Sequence, residues 1–145
     1  MEKLKDKLSK WPVSTNISVQ WGDLDALNHV NHTVFLTWME TARMVYFERC
    51  GMMEMLDSEG IGPILGGIKA KYSLPVNFPD SITVKTTMSR LGRSSFDMDY
   101  RIISESKGEI VCTGTAFGVM YDYEKGRSTP IQDHLKMKII ELENS

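Results

Sequence analysis

"TVFLTWMETARMVYFER" spans residues 33–49. Phe35, Trp38, Met39, Ala42, Val45 and Tyr46 recur there at the 3.6-residue period of an α-helix. Leu36, Met44 and Phe47 fall off that stripe, so the helix is apolar around much of its girth. Such a helix is expected to be wrapped by other elements. Gly51 is well placed to end it, and "MMEMLDSEG" (52–60) reads as a short helix or loop.

Outward from this helix the period changes. Upstream, "NISVQW" (16–21) alternates, with Ile17, Val19 and Trp21 on one face of a predicted half-buried strand. Downstream, "GIKAKYSL" sets Ile68, Ala70 and Tyr72 together, "SITVKTTM" sets Ile82, Val84, Thr86 and Met88, and "FDMDYRI" sets Phe96, Met98, Tyr100 and Ile102. "EIVCTGTAFGVMYDY" (109–123) is a long strand pattern with room for a bend at Gly114 or Gly118. "PVNFPD", "LGRSS", "ESKG" and "EKGR" punctuate these runs as turns, and "IQDHLKMKIIEL" (131–142) reads as a terminal helix or a further edge. One strand, a long helix, then consecutive strands is an α+β order. The short turns predict antiparallel meander pairing, in one sheet that curls around the helix.

Bulk properties bound the function. A chain of 145 residues, 41% hydrophobic and 25% charged, reads as one domain over 1–145. With 17 basic against 19 acidic residues the net charge is −2, which gives no electrostatic case for nucleic acid. Two cysteines, Cys50 and Cys112, make no disulfide framework and fit a reducing cytoplasm. No apolar run approaches the roughly 20 residues that span a bilayer, so no integral membrane segment is expected. The opening "MEKLKDKLSKW" lacks a signal-peptide core and reads as a solvated terminus.

Immediately before the helix stands "WGDLDALNHVNH" (21–32). Residues at a helix start lie beside unpaired backbone N–H groups and the positive end of the helix dipole. Asp25, folded back toward those groups, would complete half of an acyl-transfer site: a carboxylate and an oxyanion donor. The same residues also suit plain structure, with Asp23 and Asp25 closing a turn and Asn31 capping the helix. Spacing alone leaves both readings open. His29 and His32 with Asp25 have a metal-like look, but only His134 remains as a further histidine and no HExxH run occurs, so no metal is assigned. "DLD" lacks the other motifs of phosphoryl transfer, and Cys50 lacks a basic or histidine-rich setting for a nucleophile. "SRLGRSS" (89–95) gathers Arg90, Arg93, Ser94 and Ser95 around a glycine, which suits either a phosphate or a solvated hairpin.

"WGDLDALNHVNHTVFLTWMETAR" closely resembles the signature of hotdog-fold acyl-CoA thioesterases, in the 4-hydroxybenzoyl-CoA thioesterase and YbgC-like branch. The pattern falls on Trp21, Asp23, Asp25, His29, Val30, Asn31, Phe35, Glu40 and Arg43. "YSLPVNFPDSITV", "LGRSSFDMDYRI" and "GTAFGVMYD" extend the likeness over most of the chain. Asn28 stands where the pattern often has glycine, and His32 where it often has asparagine or an aromatic residue. The resemblance implies an antiparallel sheet wrapped around the central helix and a homodimer or homotetramer with sites at subunit interfaces. It implies Asp25 as the catalytic carboxylate and the N–H near His32 as the group that polarises the thioester carbonyl. His29 and Asn31 are then expected to hold the loop or touch substrate, and Arg90, Arg93, Ser94 and Ser95 to approach the CoA phosphates. Glu40 becomes a candidate support for the loop, and Met52, Met53, Met55, Leu56 and Ile64 become candidates for the acyl pocket. The expected reaction is hydrolysis of acyl-CoA, with no cofactor beyond the CoA of the substrate. An acyl-carrier-protein thioesterase and a non-catalytic lipid-binding hotdog domain are the alternatives.

Overall fold

The computed structural model describes residues 8–145; the expectation for the first seven residues lies outside them. The long helix, α1, runs His32–Cys50, one residue beyond the predicted span at each end. Asn31 caps its start: its side-chain oxygen accepts hydrogen bonds from the Thr33 N–H at 3.0 Å and the Thr33 hydroxyl at 3.0 Å. Gly51, left-handed at φ 92°, ends α1 and opens α2, Met52–Glu59.

The strands are β1 (Val13–Ser18), β2 (Ile61–Tyr72), β3 (Ser81–Leu91), β4 (Ser95–Ser104), β5 (Glu109–Asp122) and the two-residue β6 (Arg127–Ser128). They form one antiparallel sheet in the order β1-β3-β4-β5-β2, with β6 on β5. The meander holds only for β3-β4-β5. β2 lies at the edge opposite β3, because its full length pairs with β5. Asp133–Glu143 forms the terminal helix α3, which settles that segment as helix.

The alternation of β3 and β4 holds residue by residue: Ile82, Val84, Thr86 and Met88, then Phe96, Met98, Tyr100 and Ile102, are all buried. These residues meet Phe35, Trp38, Met39, Ala42 and Tyr46 of α1 in a single core. Two glycines of β5 let core side chains approach closely, Met39 of α1 at one and Phe96 of the neighbouring β4 at the other. A Cβ on Gly114 would sit 2.6 Å from the Met39 sulfur, and one on Gly118 2.5 Å from the Phe96 ring.

Two expectations fail. Trp21 does not continue the first strand: β1 stops at Ser18, and Trp21 opens a 3-10 turn, 75% exposed. Tyr72, expected on a buried face with Ile68 and Ala70, is 42% exposed because β2 is an edge and its last residue overhangs the helix start.

Two carboxylates tie the periphery together. Asp80 accepts hydrogen bonds from the Ser81 N–H at 2.8 Å, the Ser104 hydroxyl at 2.5 Å and the Ser106 N–H at 3.0 Å, which joins the start of β3 to the end of β4. Glu143, on the last turn of α3, accepts from the Tyr46 hydroxyl at 2.5 Å, the Met88 N–H at 2.9 Å and the Thr87 hydroxyl. β1 pairs β3 only as far as Thr86, so Glu143 supplies the acceptor that the free edge of β3 lacks.

Candidate functional site

The loop before α1 is built by its aspartates. Asp23 accepts a hydrogen bond from the Gln20 N–H at 2.8 Å and closes the 3-10 turn. Asp25 folds the next turn: one carboxylate oxygen accepts from the Leu27 N–H at 2.8 Å and the His29 N–H at 3.3 Å, while its own N–H donates to the His29 carbonyl at 2.8 Å. Asn28 takes the left-handed conformation, φ 62°. Asparagine tolerates that region better than other side chains, which explains how it stands where glycine is common. Both structural roles foreseen for this loop are therefore present: the aspartates close turns, and Asn31 caps the helix.

The chemical role rests on the same geometry. Asp25 is half-buried, and only one of its oxygens is engaged with the loop. It shares an open cleft of about 420 Å³ with His29, His32, Phe35, Tyr72 and Leu74. His32 is the first residue of α1, so its N–H has no acceptor within the helix, and none stands near it among the described residues. Asp25 and His32, the latter with an unpaired N–H at the positive end of a 19-residue helix, thus line the same space. The His32 imidazole is exposed and edge-on to Tyr72, with 6.2 Å between ring centroids.

Tyr72 is the site residue that sequence reasoning missed. Its hydroxyl donates to the His32 carbonyl at 3.3 Å, and its ring packs edge-on against Phe35 at 5.3 Å. The alternation marked Tyr72 as a strand residue, but nothing local says which strand end abuts the helix start.

The other predicted residues lie elsewhere. Arg90, Arg93, Ser94 and Ser95 sit at the β3–β4 hairpin. That hairpin neighbours Gly118 of β5 and, through it, Leu65 of β2, whereas the cleft lies at Tyr72. Seven residues of strand separate those rows, about 23 Å. One chain therefore does not bring Asp25 and the hairpin together. Arg90 is committed to Asp97 by a forked ion pair, 2.9 and 3.2 Å, and also donates to the Ser95 hydroxyl at 3.1 Å. Arg93 is exposed, and among the described residues only its backbone carbonyl is engaged, by the Ile131 N–H at 2.7 Å.

Glu40 does not reach the loop. It lies two turns into α1, faces solvent and stands 4.0 Å from Arg43. Of the candidate pocket residues, Met53, Leu56 and Ile64 line a second cavity between α1, α2 and β2, while Met52 and Met55 belong to the core. Cys50 and Cys112 are buried, and burial pushes both thiols up to about 11, which removes them as thiolate nucleophiles. No three His, Cys, Asp or Glu side chains meet among the described residues.

Comparisons with known proteins converge on one family. Residues 19–139 match the model of the thioesterase-like superfamily. The chain is 22% identical over 130 residues to the long-chain acyl-CoA thioesterase FadM of Escherichia coli, covering 90% of this chain and 98% of that one. A thioesterase of Thermus thermophilus, solved with coenzyme A and zinc, superposes with a TM-score of 0.82 at 30% identity, over 94% of this chain and 97% of the other. A 1,4-dihydroxy-2-naphthoyl-CoA thioesterase from Synechocystis, 15% identical, shares the fold with a TM-score of 0.79 over 92% and 98%.

Proposed function

The chain belongs to the thioesterase-like superfamily, and from that premise we propose that it hydrolyses acyl-CoA to free CoA and a carboxylic acid, with Asp25 as the working carboxylate. The observation that carries this reading is the cleft lined by both Asp25 and His32, whose N–H has no partner among the described residues.

The chemistry needs little more. The leaving thiol has a pKa near 8.5 by analogy with cysteine, so expulsion asks for no strong general acid. The developing oxyanion needs a donor, and one such donor is worth about 3–4 kcal/mol. Asp25 either attacks the carbonyl, giving an anhydride that water opens, or takes a proton from the attacking water. The reading needs no cofactor beyond the CoA of the substrate.

The proposal includes a homo-oligomer, at least a dimer, built from this single 1–145 domain. β2 carries a free edge, and its exposed middle holds a bulge between Leu65 and Gly67. A two-fold pairing of β2 strands about Gly66–Gly67 would set Tyr72 of one chain opposite Ile61 of its partner. The cleft of one subunit would then approach the hairpin end of the other. In that arrangement Arg93, not the paired Arg90, serves the CoA phosphates, with Ser94 beside it. His29 and Asn31 hold the loop on which the acyl group rests. A cytoplasmic setting belongs to the same proposal and is supported by two unpaired, buried cysteines. No helix among the described residues is long and apolar enough to cross a membrane.

Thiol release from acyl-CoAs of graded length, aromatic acyl-CoAs, acyl-pantetheines and acyl-carrier proteins tests the reading. Acyl-CoA turnover that collapses in Asp25→Asn is the expected result. Cleavage of carrier-protein thioesters alone would replace CoA by the carrier. Tight acyl-CoA binding without turnover would leave a binding domain.

A further inference from the structure

Arg43 is the one charged side chain among the buried polar residues described, which are otherwise Thr83, Thr86 and Ser104. Its side chain is 9% exposed, and it lines the cavity of about 210 Å³ between α1, α2 and β2. The other walls include Met44, Phe47, Met53, Leu56, Ile64 and Phe96. A guanidinium carries five N–H donors. Among the described residues it makes one hydrogen bond, to the Tyr100 hydroxyl at 3.1 Å. Its nearest carboxylate, Glu40, is 4.0 Å away on a side chain that is 67% exposed. Its other donors are not sealed inside the protein; they open on this cavity, where an entering acceptor can take them.

We propose that Arg43 selects acyl groups that carry an oxygen at their far end, a carboxylate above all. The inference rests on the acyl-CoA reading and deepens it. Arg43 lies eleven residues beyond His32, about 16 Å along the helix, so this cavity is not the cleft of its own chain. The cavity meets β2 at Pro63–Leu65, across Gly66–Gly67 from Tyr72. The two-fold pairing of β2 therefore carries it toward the partner's cleft, where an acyl chain leaving the thioester carbonyl can enter. A plain alkyl end would leave the guanidinium donors unpaired. A carboxylate would satisfy two of them in a forked geometry, and folding has already removed most of the side chain from water.

Pimeloyl-CoA and heptanoyl-CoA test this, since they differ only in a terminal carboxylate for a methyl. Wild-type protein should show the higher kcat/KM on pimeloyl-CoA. Arg43→Met should cut the pimeloyl-to-heptanoyl ratio by about tenfold or more while sparing heptanoyl-CoA. Arg43→Lys, which keeps the charge but loses the fork, should fall between them and serves if the Met variant does not fold. Glu40→Gln removes the competing carboxylate and should raise the ratio. Parallel losses on both substrates in the Arg43 variants, or no preference in the wild type, would overturn the proposal. Calorimetric titration of both CoA esters reads the cavity separately from turnover. A preference for pimeloyl-CoA in binding that Arg43→Met abolishes, with no thiol released, keeps the site and rejects hydrolysis. Equal binding of the two esters rejects the site whether or not thiol is released.

Discussion

At the scale of single residues, one side chain does two things. Asp25 holds its turn with one oxygen and also lines the cleft. Asparagine keeps an acceptor for the Leu27 N–H but is neither a useful base nor a nucleophile. Asp25→Asn should therefore melt near the wild-type temperature while thioester hydrolysis falls by at least about 100-fold. Asp23→Ala should show the reverse balance. Losing its bond to the Gln20 N–H costs about 1 kcal/mol and lowers the melting temperature more than the rate. Asp80 gives a pH signature. Burial raises its pKa, but hydrogen bonds from Ser104, Ser106 and Ser81 outweigh that and hold it below the usual carboxylate value. A depressed folded-state pKa stabilises above the unfolded value, near 3.9, and that contribution is lost as pH falls through the folded value. Denaturant melts of wild type and Asp80→Asn should differ most above about pH 5 and converge in acid. The site was legible here only as residue types: two aspartates, an asparagine and a histidine before a helix. Tyr72 was not legible, because the contact that places it joins residues 40 apart.

At the scale of elements, periodicity recovered what local sequence controls. The inward faces of β3 and β4 bury as their period demands, and so do Phe35, Trp38, Met39, Ala42 and Tyr46 of α1, whereas Val45 is only half-buried, off-stripe Phe47 is buried and Met44 is 37% exposed. Trp21 misled because an apolar residue in phase with a strand still needs a strand to sit on, and the chain had already turned. β2 was seen only from Gly67, since Ile61–Gly66 contains glycine and proline, and its strand form comes from pairing with β5. Its place in the sheet was illegible for the same reason: neighbours in sequence need not be neighbours in a sheet. The terminal helix α3 was undecided because Leu135, Met137 and Ile139 also alternate as a strand would; in the helix Leu135, Ile139 and Leu142 form the buried face, and Glu143 adds a polar anchor. Glu143 binds Tyr46, Thr87 and Met88 from two other elements. Glu143→Ala would orphan the hydroxyl of fully buried Tyr46 and an edge N–H of β3, at about 1–3 kcal/mol in equilibrium unfolding. An unchanged midpoint would show that α3 merely rests on the sheet.

At the scale of the whole molecule, the cleft and the hairpin lie at opposite ends of one subunit, and this makes assembly a testable part of the chemistry. Asp25→Ala and Arg93→Glu proteins should each be weak. After subunit exchange, mixed dimers should hold one doubly defective site and one intact site, so activity should rise well above either parent. Exchange demonstrated by mass spectrometry without any rescue would mean that both residues act from one chain, or would remove Arg93 from the site. The close packing at the glycines of β5 has a hereditary consequence as well. Every base change that replaces a glycine adds a Cβ, and at position 118 that atom would stand 2.5 Å from the ring of Phe96. A larger residue at 118 therefore forces the Phe96 ring to move unless residue 96 has already become smaller. Packing thus favours one order of the two mutations, and the reverse order passes through a chain with a displaced core ring.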